Sequence, residues 1–104
     1  MSTLSRRLKE ARRRKGISQE QLGIRVGLDP ASASTRMNRY ELGKRVPDFE
    51  LVERLADELG VPASYFYASD EQEADLLAGF HRLTPVRKAQ LLDCVERLLA
   101  DSDD

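Results

Sequence analysis

Apolar residues along this chain recur at spacings of three and four, almost nothing alternates, and β-branched residues are sparse. That is the pattern of amphipathic helices with no sheet. Leu4, Leu8 and Ala11 mark the inner face of a first helix over Thr3–Lys15, which Gly16 closes. The string Ser18-Gln19-Glu20-Gln21 is a capping box, in which the serine hydroxyl takes the Gln21 amide and the Gln21 side chain reaches back. It opens a second helix that buries Leu22 and Val26. Gly27 and Leu28 turn the chain, and Asp29-Pro30 reads as a cap followed by proline at the first helical position. The third helix is therefore predicted over 30–42, with Ala33, Met37 and Tyr40 inward and Gly43 as its end. Asp48 caps a fourth helix that carries Phe49, Leu51, Val52, Leu55, Ala56 and Leu59 at helical spacing and ends at Gly60. A short fifth helix over 62–67 adds Tyr65 and Phe66 to the core. After a joint at Ala68-Ser69-Asp70, two more helices are predicted over 71–83 and 85–100, the second opened by Thr84-Pro85. Asp101 to Asp104 are expected to fray.

Charge changes the picture. The whole-chain balance of −1 conceals two unlike halves. Up to Pro47 there are twelve Lys and Arg against four Asp and Glu, net +8, and from Asp48 onward five against fourteen, net −9. Such a chain offers one surface to phosphates and another that phosphates avoid. Its 104 residues suffice for one small core with an appendage, divided here as 1–67 and 68–104. One cysteine, Cys94, excludes an intramolecular disulfide, and with a single histidine, His81, the ligands are too few for a structural zinc. Cys94 reads as a small apolar filler and His81 as a surface or partly packed side chain. Arginines stand where a signal peptide needs an apolar run, and no stretch approaches a membrane span. A soluble, cytoplasmic protein is expected. No phosphate-binding glycine loop, metal-ligand spacing or nucleophile pair is present, so no enzyme activity, cofactor or metal is expected.

Two short helices around a glycine turn, the second with an exposed polar and basic face, have the form of a DNA-reading helix-turn-helix. On the third helix that face carries Ser32, Thr35, Arg36, Asn38 and Arg39. Arg36 or Arg39 can donate two hydrogen bonds to a guanine, Asn38 can read an adenine, and Thr35 can touch a thymine methyl. The alternative is a merely solvated polar face. The run Arg12-Arg13-Arg14-Lys15 supplies the phosphate candidates Arg13 and Arg14, or else is a solvated helix end favoured by the macrodipole.

Several strings here match one family in order. They are Arg12 with Gly16-Ile17-Ser18-Gln19-Glu20-Gln21-Leu22, Val26-Gly27, Arg39-Tyr40-Glu41-Leu42-Gly43-Lys44-Arg45, Pro47, and Leu55-Ala56-Asp57-Glu58-Leu59-Gly60-Val61. Residues 4–67 resemble the Cro/CI-type (XRE-like) helix-turn-helix domain of phage repressors and of small bacterial regulators that share it. The implied fold is all-α, a five-helix phage-repressor-like DNA-binding domain followed by two C-terminal helices. The resemblance implies that Gln19, beside Ser18 at the start of the second helix, lies against a DNA phosphate. It also implies that Glu41 pairs with Arg12, and that Gly43, Lys44 and Arg45 form a loop that meets phosphate. From Gly27 to Glu41 the chain runs 14 positions, about four more than the commonest spacing. The inserted Asp29-Pro30-Ala31-Ser32 either lengthens the third helix by about one turn or loops out before it, and Asp-Pro as a start signal favours lengthening. Counting back from Glu41 places Ser34, Thr35, Arg36 and Asn38 near the bases and Arg39 at the groove edge.

The last helix sets Leu91, Leu92, Val95, Leu98 and Leu99 on one wide stripe with little chain left to cover it. That stripe is expected to form a homodimer. Two-fold symmetry would then place two third helices in successive major grooves of double-stranded DNA, roughly 34 Å apart. The resulting expectation is a transcriptional regulator, most simply a repressor on an inverted repeat. The rival is an antitoxin-type module whose acidic half binds a protein partner.

Overall fold

The computed structural model describes residues 2–101, and these form α-helices and one 3₁₀ helix, with no strand among them. The order is α1 (Thr3–Lys15), α2 (Gln19–Arg25), α3 (Ala33–Glu41), α4 (Phe49–Leu59), the 3₁₀ helix (Ala63–Tyr67), α5 (Glu71–His81) and α6 (Pro85–Ala100). The expected all-helical class is what the chain adopts.

Local signals set most of the helix starts. Ser18 accepts from the Gln21 amide at 3.0 Å while its own amide donates to Gln21 Oε1 at 2.9 Å, completing the capping box. Asp48 accepts from the Leu51 amide at 2.8 Å, Asp70 from Glu73 and Thr84 from Arg87. Each such cap satisfies a donor that the helix itself leaves open, and its loss typically costs about 1 kcal/mol.

The start of α3 differs from the expectation. The inserted turn does not lengthen the helix, which begins at Ala33 rather than at Pro30. Asp29 accepts the Ala31 amide on its side chain and the Ser32 amide on its carbonyl, both at 2.9 Å. Asp first and Pro second is also the sequence of a β-turn, and here the turn wins. Tertiary packing gives the reason: α2 and α3 approach so closely at Gly23 that a Cβ there would lie 2.8 Å from Ala33 Cβ. Ala33 is fully buried at this crossing, so the chain must reach it by looping around.

Leu8, Leu22, Met37, Val52, Leu55, Tyr65 and Phe66 form the centre of one core, each essentially inaccessible. Ala68 and Ala74 extend that core into the start of α5. Three further expectations are corrected. The fifth helix is a 3₁₀ turn held by i→i+3 bonds such as Tyr65 amide to Pro62 carbonyl at 3.0 Å, since five residues are too few to propagate an α-helix. Phe49 is 67% exposed, because the first position of α4 precedes the inward stripe. Helix α5 ends at His81, short of residue 83. The expected fraying beyond Asp101, which terminates α6, falls outside the described residues.

Arg7 takes the place least usual for an arginine. It is completely buried, with Nε donating to the Ala68 carbonyl at 2.8 Å and Nη2 to the Ser69 carbonyl at 3.3 Å. Its Nη1 meets Glu10 and Glu71, and its guanidinium lies over the Tyr65 ring. Burial lowers its pKa, but the Glu71 and Glu10 carboxylates more than offset this and hold it above the usual arginine value. Arg7 thereby ties α1 to the joint that launches α5, and Arg6 reinforces this at Glu71.

Helix α6 buries none of its residues. It meets α5 where Lys88 Nζ lies 5.2 Å from the centre of the Phe80 ring, then projects from the body, giving a particle 55 × 28 × 23 Å in extent.

Candidate nucleic-acid interface

Helix α3 has two unlike faces. Ala33, Met37 and Tyr40 are buried against the core, at the four-then-three spacing that lines one side of a helix. Ser34, Thr35, Arg36, Asn38 and Arg39 are exposed on the other side. Ser32 stands apart: it is the half-buried N-cap in the inserted turn, its side chain caps no amide, and its hydroxyl is directed to the Asp29 carbonyl. The looped turn therefore removes Ser32 from the exposed face and leaves the five residues from Ser34 to Arg39 on it.

A buried ion pair fixes the orientation of that face. Glu41, at the C-terminal end of α3, is 2% exposed. Arg12 Nε donates to Glu41 Oε2 at 2.5 Å and Arg12 Nη2 to Oε1 at 3.0 Å, a two-pronged fork. The remaining Arg12 nitrogen, Nη1, donates to the Ile17 carbonyl at 2.9 Å. Gln19, the first residue of α2, donates from Nε2 to Glu41 Oε1 and to Asn38 Oδ1, both at 3.1 Å. The carboxylate thus gathers α1, α2 and α3 at one point. Gln19 thereby steadies the exposed Asn38 amide, whose oxygen accepts its bond.

Basic groups surround the C-terminal half of α3. Arg36 Nη2 donates to the Tyr40 hydroxyl at 3.0 Å, and Arg36, Arg39, Tyr40 and Arg45 line a recess of about 260 Å³. Gly43 adopts φ 76°, a left-handed turn that few other residues tolerate. The turn folds Lys44 and Arg45 back so that both their amides donate to the Arg39 carbonyl. Ser18, Arg13, Lys44 and Arg45 are all exposed. Arg14, also exposed, lies elsewhere: it pairs with Glu10 at 2.8 Å and approaches Asp75 of α5 at 3.9 Å. Two residues on a helix differ by about 200°, so Arg12 facing α3 leaves Arg14 facing α5.

On α6, Leu92, Val95, Leu98 and Leu99 are exposed apolar side chains and Leu91 is half-buried. Cys94 is exposed beside them as a free thiol, not a buried filler. Among the described residues no helix is long and apolar enough to cross a membrane, and no group of three or more His, Cys, Asp and Glu could hold a metal ion. Sequence reasoning missed Arg7 as the tie between α1 and the C-terminal helices. No local signal distinguishes it from its neighbours, because its carbonyl partners lie 61 and 62 positions away.

Comparison with known proteins agrees with this geometry. Residues 3–64 match a helix-turn-helix domain family. A solved structure described as the transcriptional regulator BswR superposes with a TM-score of 0.89 at 44% sequence identity, covering 97% of this chain and 98% of that one. No curated protein sequence matches the chain. With a family match over more than half its length and a fold shared end to end with a regulator, the chain belongs to the helix-turn-helix family of transcriptional regulators.

Proposed function

We propose that the protein is a sequence-specific regulator that binds double-stranded DNA as a homodimer and acts as a repressor on an inverted-repeat operator. The observation that carries this reading is the exposed face of α3, where Ser34, Thr35, Arg36, Asn38 and Arg39 stand clear of the core while Glu41 anchors the helix from behind. Thr35, Arg36 and Asn38 read base edges, with Ser34 at the entering end. Arg39 and Arg45 lie at the groove edge, and with Arg13, Ser18 and Lys44 they meet phosphate, which positions α3 without specifying sequence. Gln19 acts chiefly by orienting Asn38 and Glu41. Arg14 serves the opposite side of α1 and is not part of the phosphate set.

Residues 1–67 supply the DNA-binding unit and residues 68–104 the dimerisation region. A 16-residue helix is marginal in water when it buries little, and no residue of α6 is fully buried within one chain. A second copy covers its apolar stripe. Asp93 and Glu96 on the same helix as Arg87 and Arg97 let two antiparallel copies pair opposite charges at the stripe's margins. The acidic half then faces away from DNA. Repression follows most simply from occupying the operator.

Fluorescence-anisotropy titrations of random-sequence duplex across a salt series test the assigned face. Arg45→Ala lowers affinity on every sequence and flattens the log–log salt slope by about 1 per protomer. Arg14→Ala leaves the slope unchanged. Equal slopes for wild type and Arg45→Ala, or a flattened slope for Arg14→Ala, would contradict the assignment.

A further inference from the structure

On the far side of α1 from Glu41 lies a larger cavity, of about 640 Å³, bounded by the ends of α1, α4 and α5 and by the 3₁₀ helix. Its size is that of a small-molecule site. The walls divide by chemistry. Ala11, Leu59, Val61 and Tyr65 are buried apolar residues of the core, and Ala78 packs against them from α5. Arg14, Lys15, His81 and Arg82 form the rim. Arg14 is committed to Glu10 and Asp75, whereas Lys15 and Arg82 enter no ion pair among the described residues and both side chains are exposed.

One wall residue carries an unmet demand. Tyr65 is wholly buried, and its hydroxyl is the buried side-chain polar atom without a hydrogen-bond partner among the described residues. Glu10 is near enough to contribute to raising the phenol's pKa, which burial raises most. The Glu10 carboxylate, which also holds Arg7 and Arg14, is thus the acceptor nearest the phenol, but it does not reach the geometry of a full hydrogen bond. Buried hydroxyls are normally satisfied, and an orphan in a cavity wall calls for a partner.

We propose that this cavity binds an amphipathic anion, a carboxylate or phosphate monoester on a short apolar body. The anion sits between Lys15 and Arg82, and the body lies over Ala11, Leu59, Val61 and Ala78. Tyr65, itself inaccessible to solvent, closes the floor of the site. Because the walls come from the DNA-binding body on one side and α5 on the other, the bound anion bridges them and stiffens the joint that carries α6. The site thus offers a small-molecule input within the described residues. Binding itself does not depend on the DNA-reading or dimer assignments.

The test is a titration of the ¹⁵N-labelled full chain with decanoate, decyl phosphate, decanol and inorganic phosphate, each below its aggregation threshold, followed through the amides of Ala11, Val61 and Ala78. Decanoate or decyl phosphate shifts those amides saturably, and which of the two binds more tightly identifies the headgroup. Decanol and inorganic phosphate bind at least tenfold more weakly, by about the worth of one charge-assisted hydrogen bond. The double variant Lys15→Ala/Arg82→Ala loses about tenfold or more in affinity for the preferred anion while its spectrum stays folded, as removal of two exposed side chains predicts. Equal binding of decanol would reduce the cavity to an apolar surface, and equal binding of inorganic phosphate would reduce it to a cationic patch. Shifts confined to α6, or an unchanged affinity in the double variant, would likewise overturn the proposal.

Discussion

Replacing Glu41 with alanine removes the acceptor on which Arg12 and Gln19 converge, and the structure sets the scale of the loss. The carboxylate is 2% exposed and its arginine partner 13% exposed, so neither charge can be rehydrated without moving a helix. Removing one partner of a buried pair costs about 3–5 kcal/mol, most of it the penalty of the charge left behind. Arg12 keeps its bond to the Ile17 carbonyl and some access to water, which places Glu41→Ala near the lower end, about 3 kcal/mol. For a domain of this size that is a fall of more than about 10 °C in Tm, read by circular dichroism at neutral pH. Glu41→Gln retains one acceptor and falls between wild type and Glu41→Ala. The paired replacement Arg12→Met/Glu41→Leu leaves no stranded charge, so it should recover much of the loss. A Glu41→Ala protein melting within about 2 °C of wild type would refute the reasoning, as would a paired variant less stable than either single one.

Three other outcomes follow from particular contacts. Gly23→Ala gains about 1 kcal/mol of helix propensity, but the new methyl meets Ala33 Cβ at 2.8 Å and the Ala33 carbonyl at 3.1 Å. Neither neighbour can swing aside, and overpacking of about 1–3 kcal/mol makes the variant less stable by chemical denaturation. Deleting residues 84–104 removes α6 and, among the described residues, no buried side chain, so sedimentation should show a monomer whose melting stays cooperative; a truncated protein that still sediments as a dimer would exclude the α6 interface. The Glu71 carboxyl is held below its ordinary value of 4.5, chiefly by the hydrogen bond from Arg7 and with help from Arg6. A lowered folded-state pKa gives stability that is present above 4.5 and lost as pH falls through the lowered value, so Glu71→Gln should flatten the acid side of the stability profile and leave its slope at neutral pH unchanged.

The elements legible in the sequence are those whose causes are local. Ser18 with Gln21, Asp48, and Thr84 with Pro85 place helix starts within a few residues because the cap and its amide are neighbours. The inward face of α3 was legible from Ala33, Met37 and Tyr40, and the exposed polar face from their complement. The path of Asp29 to Ser32 was not legible, because Asp-Pro serves equally as a helix start and as the first half of a β-turn. Contact between Ala33 and Gly23, ten positions away, decides between them. Arg7 and Arg14 lie in one basic run with Arg12, yet one is buried, one faces α5 and one faces α3. Helical phase sets these directions, and only the assembled neighbours say what each meets. The cavity near Tyr65 is assembled from α1, α4, the 3₁₀ helix and α5, and no single segment carries its pattern.

Whether the exposed face of α3 reads DNA sequence in a two-fold assembly is decided by selection of bound sites from a random duplex pool, with wild type and Thr35→Ala/Asn38→Ala in parallel at one physiological salt concentration. The expected product is a two-fold symmetric motif whose half-site centres lie about 10 base pairs or a multiple apart, with a relaxed preference at the positions that the double variant no longer reads. Recovery of no motif, or of the same motif at undiminished stringency with the double variant, would contradict this role of α3.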